Sequence, residues 1–510
     1  MDIDTITNFI TGEDELINEI LISKIEKILT LSLDEQEISL TSFFKENFPD
    51  ISINSFFEKH FPKKKAPSVR VSIIKSFEKK PQKRTIQDFV KHFNLRFKFL
   101  EQLLKSRSEL SSLTSISRLK SKKPKERVSV IGMISEINLT KNGHYILLVE
   151  DLSGTTKVLI HKNNAELVIE AESLVLDEVI GIVGSTGNDI VFSETIIHPD
   201  IPLSKELKKS PYDNYALFFG DIHYGSKEFL KKEFIRMLSW INGKTGTMDQ
   251  RKIAKKVKYI FLTGDVVEGV GIYPSQENDL EILDIRSQYD SFAKYLEKIP
   301  SHIKIIICPG NHDVGRIAEP QLPIDKDYAK AIWALPNVIM VSNPAYISVD
   351  VSDDFPGIDV LMYHGYSLIH YADQVPVLRN HGGQKVADEI MEFLLKRRHL
   401  APTHGSALYI PDVVEDGLLI DPIPDIFVTG HIHRAQSRVY RNITCINSSG
   451  WTAITDDQEK RGLEPQPGRI FVVSLKTREV KILNFSTTKD VGSVVERKRL
   501  QAQSRAKVKS

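Results

Sequence analysis

Cysteine is scarce in this chain, which has 510 residues and two cysteines, Cys308 and Cys445. Each cysteine lies in or beside a stretch with the apolar pattern of a β-strand. Disulfide frameworks and cysteine-based zinc sites both need clusters of cysteines, so this usage argues against either kind of structure. We expect the protein to work in a reducing cytoplasm.

Long apolar runs are also missing. No run reaches the roughly 18 residues that are needed to span a bilayer. The N-terminal residues Met1–Asp4 are acidic and lack the charged and apolar regions of a secretory signal. We therefore expect no membrane association. An apolar content of 41% and a charged content of 26% are typical of soluble globular proteins, and the length predicts roughly two to four domains.

Excess charge of one sign is absent, since the formal net charge is +1. No global electrostatic field is therefore available to attract nucleic acid. Basic residues nevertheless cluster in three segments, 63–84, 120–127 and 497–509. Such segments are either solvated linkers and tails or places that attract phosphate backbones or an acidic partner, and the sequence leaves both interpretations open.

Residues 1–61 have the pattern of a small helical domain. Apolar residues recur at the helical period from Ile10 to Ile28, and the phenylalanines that follow indicate further short helices. Residues 62–126 are predicted to be a basic linker that contains one helix, from Ile86 to Leu110. Residues 487–510 are polar and basic, and we expect a disordered tail there.

Residues 127–203 change to short alternating apolar patterns separated by turn residues. They predict five strands, at Val128–Ile137, Tyr145–Glu150, Thr156–Ile160, Glu178–Val183 and Ile190–Ile197. The order of these strands, with EDLSG closing the second, resembles an OB-fold barrel. Such barrels bind single-stranded nucleic acid or serve as protein interfaces, and both roles stay open here.

Residues 211–486 alternate between predicted strands and helices, as in an α/β domain. The clearest helices are predicted at Phe229–Trp240, Leu280–Leu296 and Gly383–Lys396. Five unbroken apolar runs predict strands that are buried on both faces. These runs are Tyr215–Phe219, Tyr259–Leu262, Ile305–Ile307, Val360–Tyr363 and Ile426–Val428.

A short polar string follows each of these five runs. The strings are GDIH from Gly220, GD from Gly264, GNHD from Gly310, HG from His364 and GHIH from Gly430. Polar residues just past the carboxyl ends of buried strands lie where open α/β sheets bind ligands. A single string of this kind is usually a loop with a satisfied histidine, but five in order predict one shared site.

The residue types in these strings are metal ligands. Asp221 and His223 are two residues apart and therefore share a face, whereas Asp265 can bridge two ions because a carboxylate has two oxygens. We assign the first ion to Asp221, His223, Asp265 and His433, and the second ion to Asp265, Asn311, His364 and His431. Paired divalent ions in such a site promote attack of water on phosphorus.

Three further residues are candidates near the ions. His312 is predicted to face the substrate, where it protonates the leaving oxygen or neutralises the transition state. Asp313 either orients the imidazole of His312 or caps the local turn. Glu268 either supports the ligands or is a solvated loop carboxylate. The remaining histidines considered, expected to be surface or core residues, are His302, His370, His381, His399 and His404.

The five strings resemble the calcineurin-like metallophosphoesterase superfamily, with the ligands in the same order. The surrounding strings FFGDIHYGS, FLTGDVVEGVGIYPSQ, CPGNHD, MYHGYS, RHLAP and VTGHIHRAQ are similar to the small-subunit family of archaeal family-D DNA polymerases. The similarity covers roughly residues 86–486. It implies a multi-domain α/β protein with an N-terminal helical domain, an OB-fold and a phosphoesterase domain whose core is a two-layer β-sandwich.

This resemblance also implies a function. The chain is expected to partner a large polymerase subunit and to supply 3′→5′ proofreading exonuclease activity on single-stranded or mismatched DNA ends, in possible contact with a sliding clamp. Two divalent ions are implied, with manganese first and iron, zinc or magnesium as alternatives.

Two other functions remain open at this point. One is a stand-alone phosphatase or phosphodiesterase of the same fold, which the upstream barrel and basic segments disfavour. The other is a scaffold without catalytic activity, which the intact set of ligand residues disfavours as a sole role.

Overall fold

The computed structural model describes residues 3–12, 19–30, 33–49, 70–78, 82–454, 458–459 and 462–486. The predicted tail, 487–510, and residues 63–69 and 79–81 of the first basic segment lie outside the described residues. The chain divides into two compact units, Met1–Val69 and Arg70–Ser510. No helix among the residues described is both long enough and apolar enough to cross a bilayer.

The first unit contains helices α1 (Ile3–Gly12), α2 (Glu19–Leu29) and α3 (Leu33–Asn47). Their apolar faces meet in a small core. Phe44 lies at the centre of this core, fully buried, with its ring 5.9 Å from the ring of Phe9. The aromatic residues of the sequence thus pack against the helical stripe that begins with Ile6 and Ile10.

The second unit contains the remaining helices and all the strands of the described residues. Its helices are α4 (Ile86–Lys105), α5 (Ala165–Ser173), α6 (Lys231–Ile241), α7 (Met248–Lys256), α8 (Ile285–Leu296), α9 (Lys330–Trp333), α10 (Leu368–Gln374), α11 (Pro376–His381) and α12 (Ala387–Arg397). Short 3₁₀ helices occur at Ser108–Leu110, Ile116–Ser121, Gln276–Asn278 and Gly383–Val386.

The strands form one barrel and two sheets. They are β1 (Arg70–Ser76), β2 (Arg127–Leu139), β3 (Tyr145–Asp151), β4 (Gly154–Ile160), β5 (Val179–Thr186), β6 (Ile190–Ile197), β7 (Tyr215–Phe219), β8 (Val257–Thr263), β9 (Lys304–Cys308), β10 (Val338–Met340), β11 (Ala345–Val351), β12 (Ile358–Met362), β13 (Ile426–Thr429), β14 (Gln436–Tyr440), β15 (Ile443–Asn447), β16 (Arg469–Ser474) and β17 (Val480–Asn484).

The barrel is closed, with the strand order β2-β3-β4-β6-β5. It closes because β2 is long enough to pair with both β3 and β5, and because β4 and β6 pair in parallel. Helix α5 lies between β4 and β5 in the chain and was not predicted. A local signal for it exists, since the side chain of Asn164 accepts the backbone N–H of Leu167 at 3.2 Å as an N-cap.

Two six-stranded sheets form the core of the phosphoesterase-like part, in the orders β1-β11-β12-β13-β15-β14 and β10-β9-β8-β7-β16-β17. Their inner faces share one apolar cluster, to which Phe218 and Phe261 contribute from one sheet and Val360 and Val428 from the other. Helices α6 to α9 cover the outer face of one sheet, and α10 to α12 cover the other. Because both faces of each sheet are covered, the central strands appear in the sequence as unbroken apolar runs.

The linker predicted over residues 62–126 needs correction at Arg70–Ser76. These residues form β1, an edge strand that pairs antiparallel with β11, with Ser72 opposite Ser348. Phe77 then follows the strand into the core and is 8% exposed. Basic residues are common on edge strands, where charge discourages pairing with other chains, so composition alone could not separate this strand from a linker.

Helix boundaries also differ from those expected. The first predicted helix of this unit, 86–110, ends as α4 at Lys105. Helices α8 and α12 begin at Ile285 and Ala387, a few residues later than predicted. Irregular chain with an isolated β-bridge at Leu280 precedes α8, and a 3₁₀ helix precedes α12.

Candidate metal centre

The five polar strings meet at one edge of the two sheets. Strands β7, β8 and β9 are parallel neighbours in one sheet, and β12 and β13 are parallel neighbours in the other. The carboxyl ends of parallel strands lie at the same edge, so the residues that follow them are brought together.

The backbone at five of the expected ligands is left-handed. The φ angles are 49° at Asp221, 50° at His223, 47° at Asp265, 68° at His431 and 56° at His433. This conformation costs a non-glycine residue about 1–2 kcal/mol, and strain of this kind collects at functional sites. The sharp turns let each chain segment leave its strand while its side chain stays at the shared edge.

One group of possible ligands contains Asp221, His223 and His433, whose ligand atoms lie within 4.8 Å of one another. The Nε2 atoms of His223 and His433 are 3.1 Å apart, and Nε2 of His433 is 3.5 Å from Oδ1 of Asp221. The backbone N–H of His431 donates to Oδ1 of Asp221 at 3.0 Å. A Cβ at Gly430 would lie 2.5 Å from Oδ2 of Asp221, so this close approach requires glycine.

A second group contains Asp265, His364 and His431. Nε2 of His364 is 3.4 Å from Oδ2 of Asp265 and 2.9 Å from Oδ1 of Asn311. The same carboxylate oxygen of Asp265 lies 3.6 Å from Nε2 of His223. Asp265 therefore belongs to the second group and also approaches His223 of the first, which is the arrangement that a bridging carboxylate needs.

Protein acceptors fix the orientation of two histidine rings. Nδ1 of His364 lies 2.8 Å from the backbone carbonyl oxygen of Thr263, and Nδ1 of His223 lies 2.9 Å from Oε2 of Glu268. A carbonyl oxygen can only accept, so Nδ1 of His364 carries a hydrogen and Nε2 is the ring nitrogen available to a cation. Imidazole nitrogens that converge with carboxylate oxygens form a donor set that fits cations, which would replace the protons on the rings.

The pKa values of these groups have a consistent physical cause. Burial is the largest single effect on His223 and by itself would lower its pKa. The charge and hydrogen bond of Glu268, together with the charges of Asp265 and Asp221, outweigh it and raise the pKa to about 9. The charge of Asp265 likewise raises the pKa of His364 to about 10 against the effect of burial. Burial and the charge of His364 lower the pKa of His431 to about 3. Metal binding at neutral pH would therefore displace protons from two of these rings.

His312 lies beside both groups. Its ring centroid is 4.5 Å from that of His223, and its backbone N–H donates to Oδ1 of Asp265 at 2.8 Å. Nδ1 is 2.8 Å from the carbonyl oxygen of Glu268 and so carries the hydrogen. Burial lowers the pKa of His312. With Nδ1 engaged, Nε2 is the ring nitrogen left for a substrate.

Two roles were considered for Asp313, orienting the imidazole of His312 and capping the local turn. Its contacts are those of a cap. Its carboxylate accepts the backbone N–H groups of Gly310 at 2.9 Å and Val266 at 3.1 Å, together with the hydroxyl of Tyr289 at 2.9 Å. Burial raises the pKa of Asp313 to about 6, and the charge of Asp265 acts in the same direction.

Sequence reasoning missed several residues that hold the centre together. Oδ1 of Asn343 accepts the backbone N–H of His364 at 2.8 Å, and Nε2 of Gln276 donates to the backbone carbonyl of Glu268 at 3.0 Å. Glu268 itself is 5% exposed. These residues follow no strand in a recognisable string, so only the fold reveals their positions.

The histidines outside the strings occupy other parts of the second unit. His399 is buried and its Nε2 is 2.9 Å from Asp416, which also accepts from Nε of Arg96 at 2.7 Å. His302 is exposed. These two residues agree with their expected core and surface positions.

Comparison with known proteins identifies the family. Residues 216–435, which contain all the strings, match the sequence model of the family described as calcineurin-like phosphoesterase. The DNA polymerase II small subunit of Methanothermobacter thermautotrophicus is 37% identical over 401 residues, covering 79% of this chain and 80% of the relative. The chain belongs to the DNA polymerase II small subunit family. The Archaeoglobus fulgidus member is 38% identical, covering 80% of this chain and 79% of the relative. The Thermoplasma acidophilum member is 37% identical, with 79% of each chain covered.

Membership of the small subunit family confirms the resemblance noted in the sequence. The phosphoesterase match extends from the second residue of β7 to the residue before β14. It therefore includes the five strands that the ligand residues follow. A phosphoesterase domain of this family implies divalent metal ions, and the grouped histidine and aspartate side chains provide candidate positions for them.

Proposed function

We propose that this chain is the small subunit of a two-subunit replicative DNA polymerase and that its metal centre removes nucleotides from 3′ ends by two-metal hydrolysis. The observation that carries the proposal is the arrangement of two ligand groups on either side of the Asp265 carboxylate, with His312 next to both. The names of the relatives support the polymerase setting.

The residues of the centre have distinct proposed roles. Asp221, His223, Asp265 and His433 hold one divalent ion, and Asp265, Asn311, His364 and His431 hold the other. Bound ions would supply positive charge to the phosphodiester and acidify a water that attacks phosphorus. The mixed nitrogen and oxygen donors suit manganese, with iron, zinc or magnesium as alternatives.

His312 is proposed to act on the substrate itself. Nδ1 is held by the carbonyl of Glu268, so the ring cannot rotate freely and Nε2 has a fixed direction. A protonated Nε2 can donate to the leaving 3′ oxygen or neutralise charge on the phosphoryl oxygens. Because burial lowers the pKa of His312, we expect it to gain this proton only when the substrate phosphate adds negative charge nearby.

The other segments are proposed to connect this chemistry to the replication machinery. We propose a helical domain at 1–61, a basic linker and helix at 62–126 apart from strand β1, an OB-fold at 127–203, the phosphoesterase domain at 211–486 and a basic tail at 487–510. The strand order β2-β3-β4-β6-β5 of the closed barrel supports the OB-fold assignment. The proposed partners are the large subunit, DNA and a sliding clamp.

The test is co-expression of the chain with a candidate large subunit, followed by digestion of a primer with a mismatched 3′ nucleotide in manganese. Asp265→Ala is expected to abolish digestion, and His312→Ala to reduce the rate by about 10²–10⁴-fold while two metal ions stay bound. His302→Ala, at an exposed histidine, is the matched control and should digest normally.

Three results would contradict the proposal. Digestion that survives in purified Asp265→Ala would show that the nuclease is elsewhere. Rapid hydrolysis of phosphoproteins without loss of primer nucleotides would favour a phosphatase of the same fold. Purification without stoichiometric metal, combined with no digestion in manganese, would favour a scaffold.

A further inference from the structure

A basic pocket of about 270 Å³ opens beside the metal centre. Its cationic side chains are Arg379, Lys385 and Arg434, and the carboxylates of Asp373 and Glu464 also line it. We use the name basic pocket for the space between these five side chains.

The basic pocket adjoins the proposed ligands through the chain itself. Ile432, which lines the pocket, lies between His431 and His433, and Arg434 is the next residue. Consecutive Cα atoms are 3.8 Å apart, so the lining of the pocket begins one residue from His431, a proposed ligand of one ion, and one residue from His433, a proposed ligand of the other. The end of α10, the helix that starts four residues after His364, also lines the pocket.

Glu464 forms ion pairs with two of the three cations of the pocket, Lys385 and Arg434. Its carboxylate is 2.6 Å from Nζ of Lys385 and 3.2 Å from Nη1 of Arg434. The backbone N–H of Gln466 donates to the carbonyl of His433 at 2.8 Å, which holds this stretch against the ligand string. Nε of Arg434 is buried and has no hydrogen-bond partner within the described part of the chain. The guanidinium therefore has one buried donor that no described acceptor satisfies, besides Nη1, which contacts Glu464.

The backbone around the two cations is fixed in advance. Nε2 of Gln436 donates to the carbonyl of Lys385 at 2.5 Å, and its Oε1 accepts the N–H of Ala387 at 2.8 Å. The side-chain amide of Asn447 donates to the carbonyl of Arg434 at 2.7 Å. A site with its backbone held in this way loses little entropy when a ligand binds.

From this arrangement we propose that the basic pocket binds a second phosphate of the substrate strand, next to the one that is cleaved, and that Glu464 occupies the pocket until the strand arrives. This inference rests on the proposed exonuclease function and assigns the substrate contacts of the same site. A phosphodiester has one negative charge and two non-bridging oxygens, as a carboxylate does, and suits the fork of an arginine, so it can take the place of Glu464. The exposed ion pairs of Glu464 are of the kind that contribute little stability, which makes the exchange feasible.

The binding test uses the full-length chain and a 5′-labelled oligothymidylate with phosphorothioate 3′ linkages, followed by fluorescence anisotropy. Lys385→Ala and Arg434→Ala are each expected to weaken binding by about fivefold. Each should also reduce the slope of log affinity against log salt by about 0.7, as for one lost phosphate contact on a single strand. Lys252→Ala removes a lysine from an exposed ion pair with Asp249 and is the control, with no change expected.

Glu464→Gln gives the opposite prediction. Glutamine removes the competing charge and keeps the shape of the side chain, so the oligonucleotide should bind about threefold to fivefold more tightly. Unchanged or weaker binding of the oligonucleotide in Glu464→Gln would refute the proposal that Glu464 competes with the strand for the pocket. Binding and salt slopes in Lys385→Ala and Arg434→Ala equal to those of Lys252→Ala would overturn the phosphate site.

A cleavage test separates this inference from the function on which it rests. The ratio of kcat/KM for an oligonucleotide to that for the p-nitrophenyl ester of thymidine 5′-monophosphate, which has one phosphate, should fall in Lys385→Ala and Arg434→Ala. Oligonucleotide cleavage with an unchanged ratio in both variants would refute the basic pocket and leave the nuclease intact. Cleavage of the ester alone, with oligonucleotide binding still weakened in both variants, would refute the exonuclease and support the pocket.

Discussion

Replacing Glu268 by glutamine should lower the affinity for one of the two proposed metal ions and leave the affinity for the other unchanged. Oε2 of Glu268 is 2.9 Å from Nδ1 of His223, and its Oε1 lies 3.3 Å from both the hydroxyl of Tyr273 and Nε2 of Gln276. Glutamine has nearly the same volume and keeps one acceptor oxygen, so packing is retained. The change removes the negative charge that makes the ring of His223 basic.

The size of the effect follows from the role of that charge. Glu268 is the leading cause that raises the pKa of His223 to about 9 against the effect of burial. A less basic ring is a weaker ligand, and loss of such an outer carboxylate typically costs about 10- to 100-fold in metal affinity. This corresponds to about 1.4–2.7 kcal/mol of binding free energy. His364 is oriented by the carbonyl of Thr263 instead, so the second ion should keep its affinity.

Manganese titration by calorimetry measures both dissociation constants. One constant should rise by about 10- to 100-fold in Glu268→Gln while the other changes by less than about twofold. Glu277→Gln removes an exposed carboxylate from the same loop and is the control. Two constants that rise together would refute the assignment of His223 and His364 to different ions. Two unchanged constants would refute the role of Glu268 in metal binding.

Two further predictions concern stability away from the metal centre. Arg96→Ala leaves the buried carboxylate of Asp416 without its guanidinium partner and should lower the free energy of unfolding of the second unit by about 3–5 kcal/mol, measured by urea unfolding. The hydrogen bond from His198 lowers the pKa of Glu170 to about 2, so its stabilising effect is present above the unfolded value of 4.5 and is lost as pH falls toward 2. Burial would lower the pKa of His198, but Glu170 and Glu178 raise it above 6.5, so its contribution is complete below pH 6.5 and fades above its raised pKa. The difference in unfolding midpoint between the wild type and Glu170→Gln should therefore be largest between about pH 4.5 and 6.5.

Much of the fold could be predicted from patterns that depend on local burial. The five unbroken apolar runs correspond to β7, β8, β9, β12 and β13, because strands covered on both faces need apolar residues at every position. The barrel strands were found within a few residues for a similar reason, since their alternation reflects one buried face. Strand β1 was missed because its side chains are mostly exposed and its partner, β11, is distant in the sequence.

The candidate site divides in the same way. Side chains that directly follow strands could be grouped from the sequence, since strand order and parallel pairing bring them together. The supporting contacts of Thr263, Asn343 and Gln276 could not, because each depends on where a loop turns in space. Glu464 is a further example, since it is 79 residues from Lys385 and 30 residues from Arg434 in the chain, and only the fold brings the three side chains together.

The pairing of β1 with β11 affects how the chain can fold during synthesis. Phe77 and its hydrogen-bond partner Ser342 are 265 residues apart, and the barrel is made between them. At roughly 5–20 residues per second, a ribosome needs tens of seconds to cover that distance. During this time β1 has no partner strand from its own sheet. Its residues Ile73 and Ile74 are exposed even in the folded structure. The barrel, whose strands are close in sequence, can close first, and the edge of the sheet is completed only after it.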